Sequence, residues 1–349
     1  MAKTTHTWQE IVSQPKVWQA TLASFDAVRP VLERFLQRSA FERILVVGCG
    51  STYYLAQAAA TSLARRAGFP AQDCPSSELW LFPGVVPARP TLLVAVSRSG
   101  TTTETLFALE TFRRNKRGPA LAVTCDPESR LAQAADLTLA AVAAQERSVA
   151  QTRSFTSMLL LTQALTSALA RDAGMWEALQ RLPGCLSSLE RRLGDLPEQL
   201  GADTGIADIF YLGAGSLYGI ACEAMLKTKE MSLTVTEAYH TLEFRHGPMS
   251  MVSERSLVVG LVSDSGQAEE LRVLADLQGL GARVLALVEN AEALAGWRPD
   301  YLIELRSGLD EWARQPLYLP PLQRLAFHRA LAKGLDPDRP HNLTAVVEL

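Results

Sequence analysis

The chain has 349 residues, 48% of them hydrophobic and 20% charged, with a mean hydropathy of +0.05: the composition of a soluble globular protein long enough for two cores of average size. A net charge of −3 and a pI near 6.0 provide no general field for nucleic acid or an anionic membrane surface, so neither is expected as a partner. Five cysteines, Cys49, Cys74, Cys125, Cys185 and Cys222, lie far apart with no CxxC pair, which argues against a disulfide framework and a metal site and suits a reducing compartment.

In chain order, residues 1–35 read as short amphipathic helices without the apolar run of a signal peptide. An apolar strand from Ile44 to Val47 follows, then the turn Gly48-Cys49-Gly50-Ser51-Thr52-Tyr53. A second strand from Leu92 to Ala95 leads into Val96-Ser97-Arg98-Ser99-Gly100-Thr101-Thr102-Thr103, and Leu106, Leu109 and Phe112 then mark a helix. The basic residues Arg113, Arg114, Lys116 and Arg117 fit a solvated helix C-terminus favoured by the helix dipole. After a third strand, Ala120 to Thr124, a buried helix is predicted from Ser154 to Ala170; its polar residues Thr162, Gln163, Thr166 and Ser167 argue against a membrane span, so a cytoplasmic location is expected. Leu182-Pro183-Gly184 and Asp195-Leu196-Pro197 read as turns near a domain boundary.

The chain then repeats itself. Gly213-Ala214-Gly215-Ser216-Leu217-Tyr218 follows the run Ile209 to Leu212, and Val262-Ser263-Asp264-Ser265-Gly266 follows Leu257 to Leu261, so GxGSxY and VSxSG each recur behind a strand at nearly the same offset. Arg283 to Val288 supplies a further strand. Such alternation implies parallel strands with crossover helices, hence two doubly wound α/β units.

Ligands of such sheets sit at the carboxyl ends of the strands, where helix N-termini offer N–H groups to anions. GxGSxY taken alone is equally a tight turn that needs glycine, and neither half has the G-x-G-x-x-G spacing of a dinucleotide site. The loop from Ser97 to Thr103 is more specific: an N-cap requires one hydroxyl residue, whereas this loop carries Ser97, Ser99, Thr101, Thr102 and Thr103 with Arg98, a donor set suited to a phosphate monoester. In the second copy Asp264 stands where the first has Arg98, and a carboxylate there repels phosphate. The first half is therefore expected to hold a phosphate and the second to supply other groups. Glu223, Lys227 and Glu230 share one helical face, as either a surface ion-pair ladder or acid–base machinery. Of the five histidines, His246, in Arg245-His246-Gly247-Pro248, is the candidate acid–base residue, although a lone loop histidine is commonly just exposed.

With these residues in view the chain resembles the sugar isomerase (SIS) family. The match is to the isomerase half of glutamine:fructose-6-phosphate amidotransferases and, more closely, to stand-alone SIS-type glucosamine-6-phosphate deaminases. It is carried by VVGCGSTYYLA, VSRSGTTTET, ERSVAQTRSF (Glu146 to Phe155), EAMLKTKEMSLTVTEAYHTLEFRHGPM and PLQRLAFHRALAKGLDPDRPHNL, in family order. The resemblance implies two tandem SIS domains, each a doubly wound, flavodoxin-like or Rossmann-like parallel sheet flanked by helices. Expected boundaries are a helical segment 1–35, a phosphate-binding domain 36–190, a second domain 195–335 and a tail 336–349. It implies that Thr52, Ser97, Ser99 and Thr102 bind a sugar phosphate, with Ser51, Arg98 and Gly100 completing that set and Cys49, Gly50 and Val149 touching the substrate elsewhere. Glu230 is expected to move a proton between C1 and C2, His246 to help open the sugar ring in a neighbouring subunit's site, and Lys227 to orient the substrate. No cofactor is implied; the partners are a phosphorylated sugar and a second copy of the chain.

Three departures narrow the expectation. The chain opens Met1-Ala2-Lys3, so the glutaminase half and its N-terminal cysteine are not expected. Ala345 falls where the synthases carry a Schiff-base lysine, and Arg98 replaces the more usual glutamine, as in deaminase-like members. The leading expectation is an isomerase/deaminase of a hexosamine 6-phosphate. A deglycase of phosphorylated sugar-amine adducts and an aldose/ketose isomerase are the enzymatic alternatives. A sugar-phosphate sensor is disfavoured, because the residues before the first strand are too few and not basic enough for a DNA-binding helix-turn-helix.

Overall fold

The computed structural model describes residues 5–85, 89–115 and 117–344; Lys116, Ala345 and Met1-Ala2-Lys3 lie outside them. Two helices, α1 (His6–Val12) and α2 (Gln14–Arg38), precede β1 (Arg43–Gly48), α3 (Ser51–Arg66), β2 (Ala71–Pro75), α4 (Ser76–Leu81), β3 (Thr91–Val96), α5 (Thr103–Arg114), β4 (Ala120–Thr124), α6 (Arg130–Ala134) and β5 (Leu137–Ala140). Helices α7 (Arg153–Ala170), α8 (Ala173–Leu193) and α9 (Leu196–Ala202) lead to β6 (Asp208–Gly213), α10 (Leu217–Ser232), β7 (Val235–His240), β8 (Ser256–Leu261), α11 (Gln267–Gly279), β9 (Arg283–Val288) and β10 (Tyr301–Glu304). Helices α12 (Glu311–Arg314) and α13 (Leu319–Ala332) complete the described elements.

The chain forms two compact units, one of Ser13–Arg147 with Gln151–Pro183 and Thr344, the other of residues 5–12, Ser148–Ala150 and Gly184–Leu343. Each holds one five-stranded sheet, in the order β2-β1-β3-β4-β5 and β10-β9-β8-β6-β7, with every neighbouring pair parallel. Numbered within its own sheet, each has the flavodoxin-like order 2-1-3-4-5. The repeat seen in the sequence is thus a repeat of topology, and in both units the order reverses beside the strand that carries GxGSxY, between β1 and β3 and between β6 and β8. Central strands are apolar on both faces because helices cover both: β3 and β8 are buried throughout. The core of the first unit packs Leu45, Val47, Leu93, Leu109 and Phe112 together, and that of the second packs Leu212, Val258, Leu274, Leu277 and Val284.

The buried helix expected between the halves is α7, buried from Ser154 to Ala168; Thr162 and Thr166 satisfy their hydroxyls on the carbonyls of Leu159 and Thr162, both at 2.8 Å. Two readings are corrected. The N-terminal segment is dominated by one 25-residue helix, α2, instead of short helices, because Val17, Trp18, Leu22 and Phe25 give it a continuous buried stripe. The turn read at Leu182-Pro183-Gly184 is the interior of α8, where Leu179, Leu182, Leu186 and Leu189 keep a buried helical period through the proline.

Candidate active site

In the first unit both conspicuous loops lie at the switch point of the sheet, behind β1 and β3. The β1 loop is built by two glycines. A Cβ on Gly48 would sit 2.4 Å from the Thr52 carbonyl group, and Gly50 has φ +53°, so helix α3 starts tight against the strand. Thr52 closes the turn: its hydroxyl accepts from the Cys49 N–H and donates to the Cys49 carbonyl, both at 2.9 Å, while Ser51 opens the helix, nearly buried. The Cys49 Sγ lies 3.6 Å from Thr105 Oγ1, and burial pushes the thiol's pKa up, so it is a packed thiol, not an activated one.

The β3 loop is a hydroxyl cluster. Ser97 Oγ lies 3.0 Å from Thr102 Oγ1 and accepts the Gly100 N–H at 3.1 Å; Ser99 Oγ accepts from the Thr101 N–H at 3.2 Å and the Thr101 hydroxyl at 3.0 Å. Thr102 is the N-cap residue of α5, yet its side chain makes no capping bond. Gly100 is obligatory, with φ +64° and a Cβ position 2.0 Å from Ser129 Oγ. Arg98 is anchored twice: its carbonyl accepts from Cys125 N at 3.0 Å and Thr124 Oγ1 at 3.1 Å, and its guanidinium lies 3.6 Å from Glu146, whose side chain is fully buried. Glu146 also accepts from Thr152 N at 2.7 Å, Thr152 Oγ1 at 2.6 Å and the Ser154 hydroxyl. In the sequence Glu146 stands out only as the first residue of the ERSVAQTRSF motif.

The second unit gives the same loops different contents. Gly213 and Gly215 repeat the glycine geometry, with a Cβ on Gly213 2.5 Å from the Leu217 carbonyl oxygen and φ +56° at Gly215. The donors of the VSxSG loop, however, are taken by the chain's own carboxylates. Ser263 N and Oγ both donate to Glu270 at 2.7 Å, and Asp264 N donates to Glu311 at 2.8 Å. The buried guanidinium of Arg314 holds both oxygens of Asp264. A cavity of about 520 Å³ remains here, lined in part by Asp264, Glu289, Glu292 and Arg314.

Glu223, Lys227 and Glu230 lie along one face of α10, and the face is buried. Lys227 is 1% exposed, 3.6 Å from Glu223, itself fully buried, and hydrogen-bonded to Glu230, whose side chain keeps 19% exposure. That excludes the surface-ladder alternative. His246 is exposed, between the short turns Glu243–Arg245 and Pro248–Met251, with its N–H on the Glu243 carbonyl at 2.9 Å; Gly247, at φ +124°, lets the chain reverse after it. His240, passed over in the sequence, stacks on Tyr218 of the second GxGSxY with ring centroids 3.7 Å apart, and partial burial lowers its pKa. Val149 is half-buried. Among the described residues no cluster of His, Cys, Asp and Glu is arranged to hold a metal ion, and no helix is long and apolar enough to cross a membrane.

Comparison with known proteins matches the sequence model of the SIS domain to residues 39–168 and 206–320. The glutamine–fructose-6-phosphate aminotransferase (isomerizing) of Pseudomonas syringae is 31% identical over 97% of this chain, which spans 58% of that relative's length. Among solved structures, tagatose-6-phosphate ketose/aldose isomerase from Escherichia coli superposes with a TM-score of 0.87 at 28% identity, covering 97% of this chain and 95% of that one. Glucosamine-6-phosphate deaminase from Thermotoga maritima superposes with a TM-score of 0.80 at 27% identity, covering 99% and 100%.

Proposed function

Because the chain belongs to the SIS domain family, we propose that it is an enzyme of phosphorylated sugars, an isomerase/deaminase that turns a hexosamine 6-phosphate into a ketose 6-phosphate and ammonia. What supports this most is the asymmetry of the two switch-point loops: hydroxyl donors crowd the first, from Ser97 to Thr102, while carboxylates fill the second. Ser51, Thr52, Ser97, Arg98, Ser99, Gly100 and Thr102 bind the phosphate, and Cys49, Gly50 and Val149 border the rest of the substrate. His246 assists ring opening by moving a proton at the ring oxygen. Glu230 takes the C2 proton of the open-chain amino sugar and returns it at C1, through an enolamine. The resulting C2 imine takes up water and releases ammonia, so one water enters for each ammonia that leaves. Lys227, hydrogen-bonded to Glu230, holds that carboxylate in place.

The likeness to a ketose/aldose isomerase and to a deaminase favours, as a second reading, the same proton shift on a substrate whose nitrogen carries another group or is absent. Incubating the purified protein with hexosamine 6-phosphates, sugar-amine 6-phosphate adducts and aldose 6-phosphates separates the two. Ammonia from the first class alone supports the deaminase; amine from the adducts, or ketose without ammonia, moves the assignment. Equal turnover of free and phosphorylated sugars at low concentration overturns both.

A further inference from the structure

The one cation of the β3 loop is not an isolated charge. Arg98 has 11% of its side chain exposed, and its guanidinium faces Glu146, an acid with no exposed side-chain surface whose oxygens also serve Thr152 and Ser154 at the start of α7. The backbone of Arg98 is fixed to the end of β4 through Cys125 and Thr124. The guanidinium thus faces a buried counter-charge, itself held by hydroxyl and N–H donors, within a loop rich in neutral donors.

We propose that Arg98 meets the phosphate as one half of an ion pair, and that Glu146 is the positioning residue that sets its direction and cancels its charge. The inference rests on reading this loop as a phosphate cradle. Its physical content is the charge the pair contributes, with Arg153 and Asp126 also nearby and left unchanged: zero for Arg98 with Glu146, +1 without Glu146, −1 without Arg98, and zero again without both. A single unbalanced charge a few ångströms from a dianion, in a partly buried loop, changes affinity by about tenfold or more. The cradle binds phosphate mainly through its hydroxyl and N–H donors, and Glu146 keeps that binding loose enough for release.

The test is a double-mutant cycle on the full chain, with inorganic phosphate as the probe, calorimetric Kd as the readout and thermal unfolding as the control for folding. Expected are about tenfold tighter binding for Glu146→Gln, about tenfold weaker binding for Arg98→Gln, and a double variant within about threefold of wild type despite lacking the arginine. A double variant as weak as Arg98→Gln makes Arg98 an independent phosphate ligand and overturns the inference. If Glu146→Gln alone does not fold, the double variant, with two neutral amides facing one another, decides the question against Arg98→Gln. Wild-type protein that binds no phosphate, or binds it undiminished in Ser99→Ala, overturns the cradle itself; binding that needs Ser99 but has no charge coupling overturns only the role of Glu146.

Discussion

At Glu230 the sequence offered a surface ladder and an acid–base role, and burial removes the first without establishing the second. A Glu-x-x-x-Lys-x-x-Glu spacing on a helix is the pattern of a solvated ladder, and nothing in the letters says which face of α10 turns inward. The structure turns it inward, with Lys227 1% exposed. If Glu230 is the base, Glu230→Gln keeps the shape and removes the proton acceptor: kcat is expected to fall at least about a hundredfold with KM little changed. A variant retaining more than about a tenth of wild-type kcat returns the cluster to a structural role. The hydroxyl-rich loop from Ser97 to Thr103 was legible because Ser, Thr and Gly declare themselves by composition. Glu146 was not, since its role depends on Arg98, far away in the chain, and on burial that no local pattern reports.

At the level of elements, the strands read from the sequence are the three central ones of each sheet, and the four that escaped, β2, β5, β7 and β10, are the sheet edges. A central parallel strand is covered on both faces and reads as an apolar run; an edge strand such as β2, Ala71-Gln72-Asp73-Cys74-Pro75, or β7, Val235 to His240, is half-exposed and mixed in composition. The long helix α2 escaped for a related reason, its buried stripe being diluted by an exposed face. It is tied to α7 by a buried chain in which Trp18 Nε1 donates to Thr156 Oγ1 at 2.9 Å and that hydroxyl donates to Gln14 Oε1 at 2.7 Å. Thr156→Val keeps the volume but removes a buried hydrogen bond from each of Trp18 and Gln14, so a loss of about 1–3 kcal/mol is expected in denaturant unfolding, whereas Thr162→Val, which removes a back-bond to its own helix, costs less.

For the molecule as a whole, we propose a homodimer with a shared site, Glu230 from one chain and His246 from its partner, and that arrangement makes a stoichiometric prediction. If Glu230→Gln and His246→Ala chains are unfolded together and refolded, mixed dimers carry one site with both lesions and one with none, so roughly a quarter of wild-type activity returns under random pairing. Mixed dimers that form without regaining activity put both residues in one chain's site and overturn the shared arrangement. The two switch-point loops also differ in what they require of the solution. The second is saturated from within, its Ser263 and Asp264 N–H groups held by Glu270 and Glu311, so its local opening is indifferent to substrate. If the first is the phosphate cradle, it gains partners when a phosphate arrives, and linkage then protects it by about 2.7 kcal/mol at a hundred times Kd. Amide hydrogen exchange read with and without inorganic phosphate is therefore expected to slow at residues 97–105 by up to about a hundredfold, with residues 263–270 unchanged; equal slowing in both loops is the contrary result. If the first loop is the phosphate cradle, duplication has left one copy that a ligand can tighten further and one that carries its own counter-ions, so the amount of substrate present would set how firmly the first loop is held and leave the second untouched.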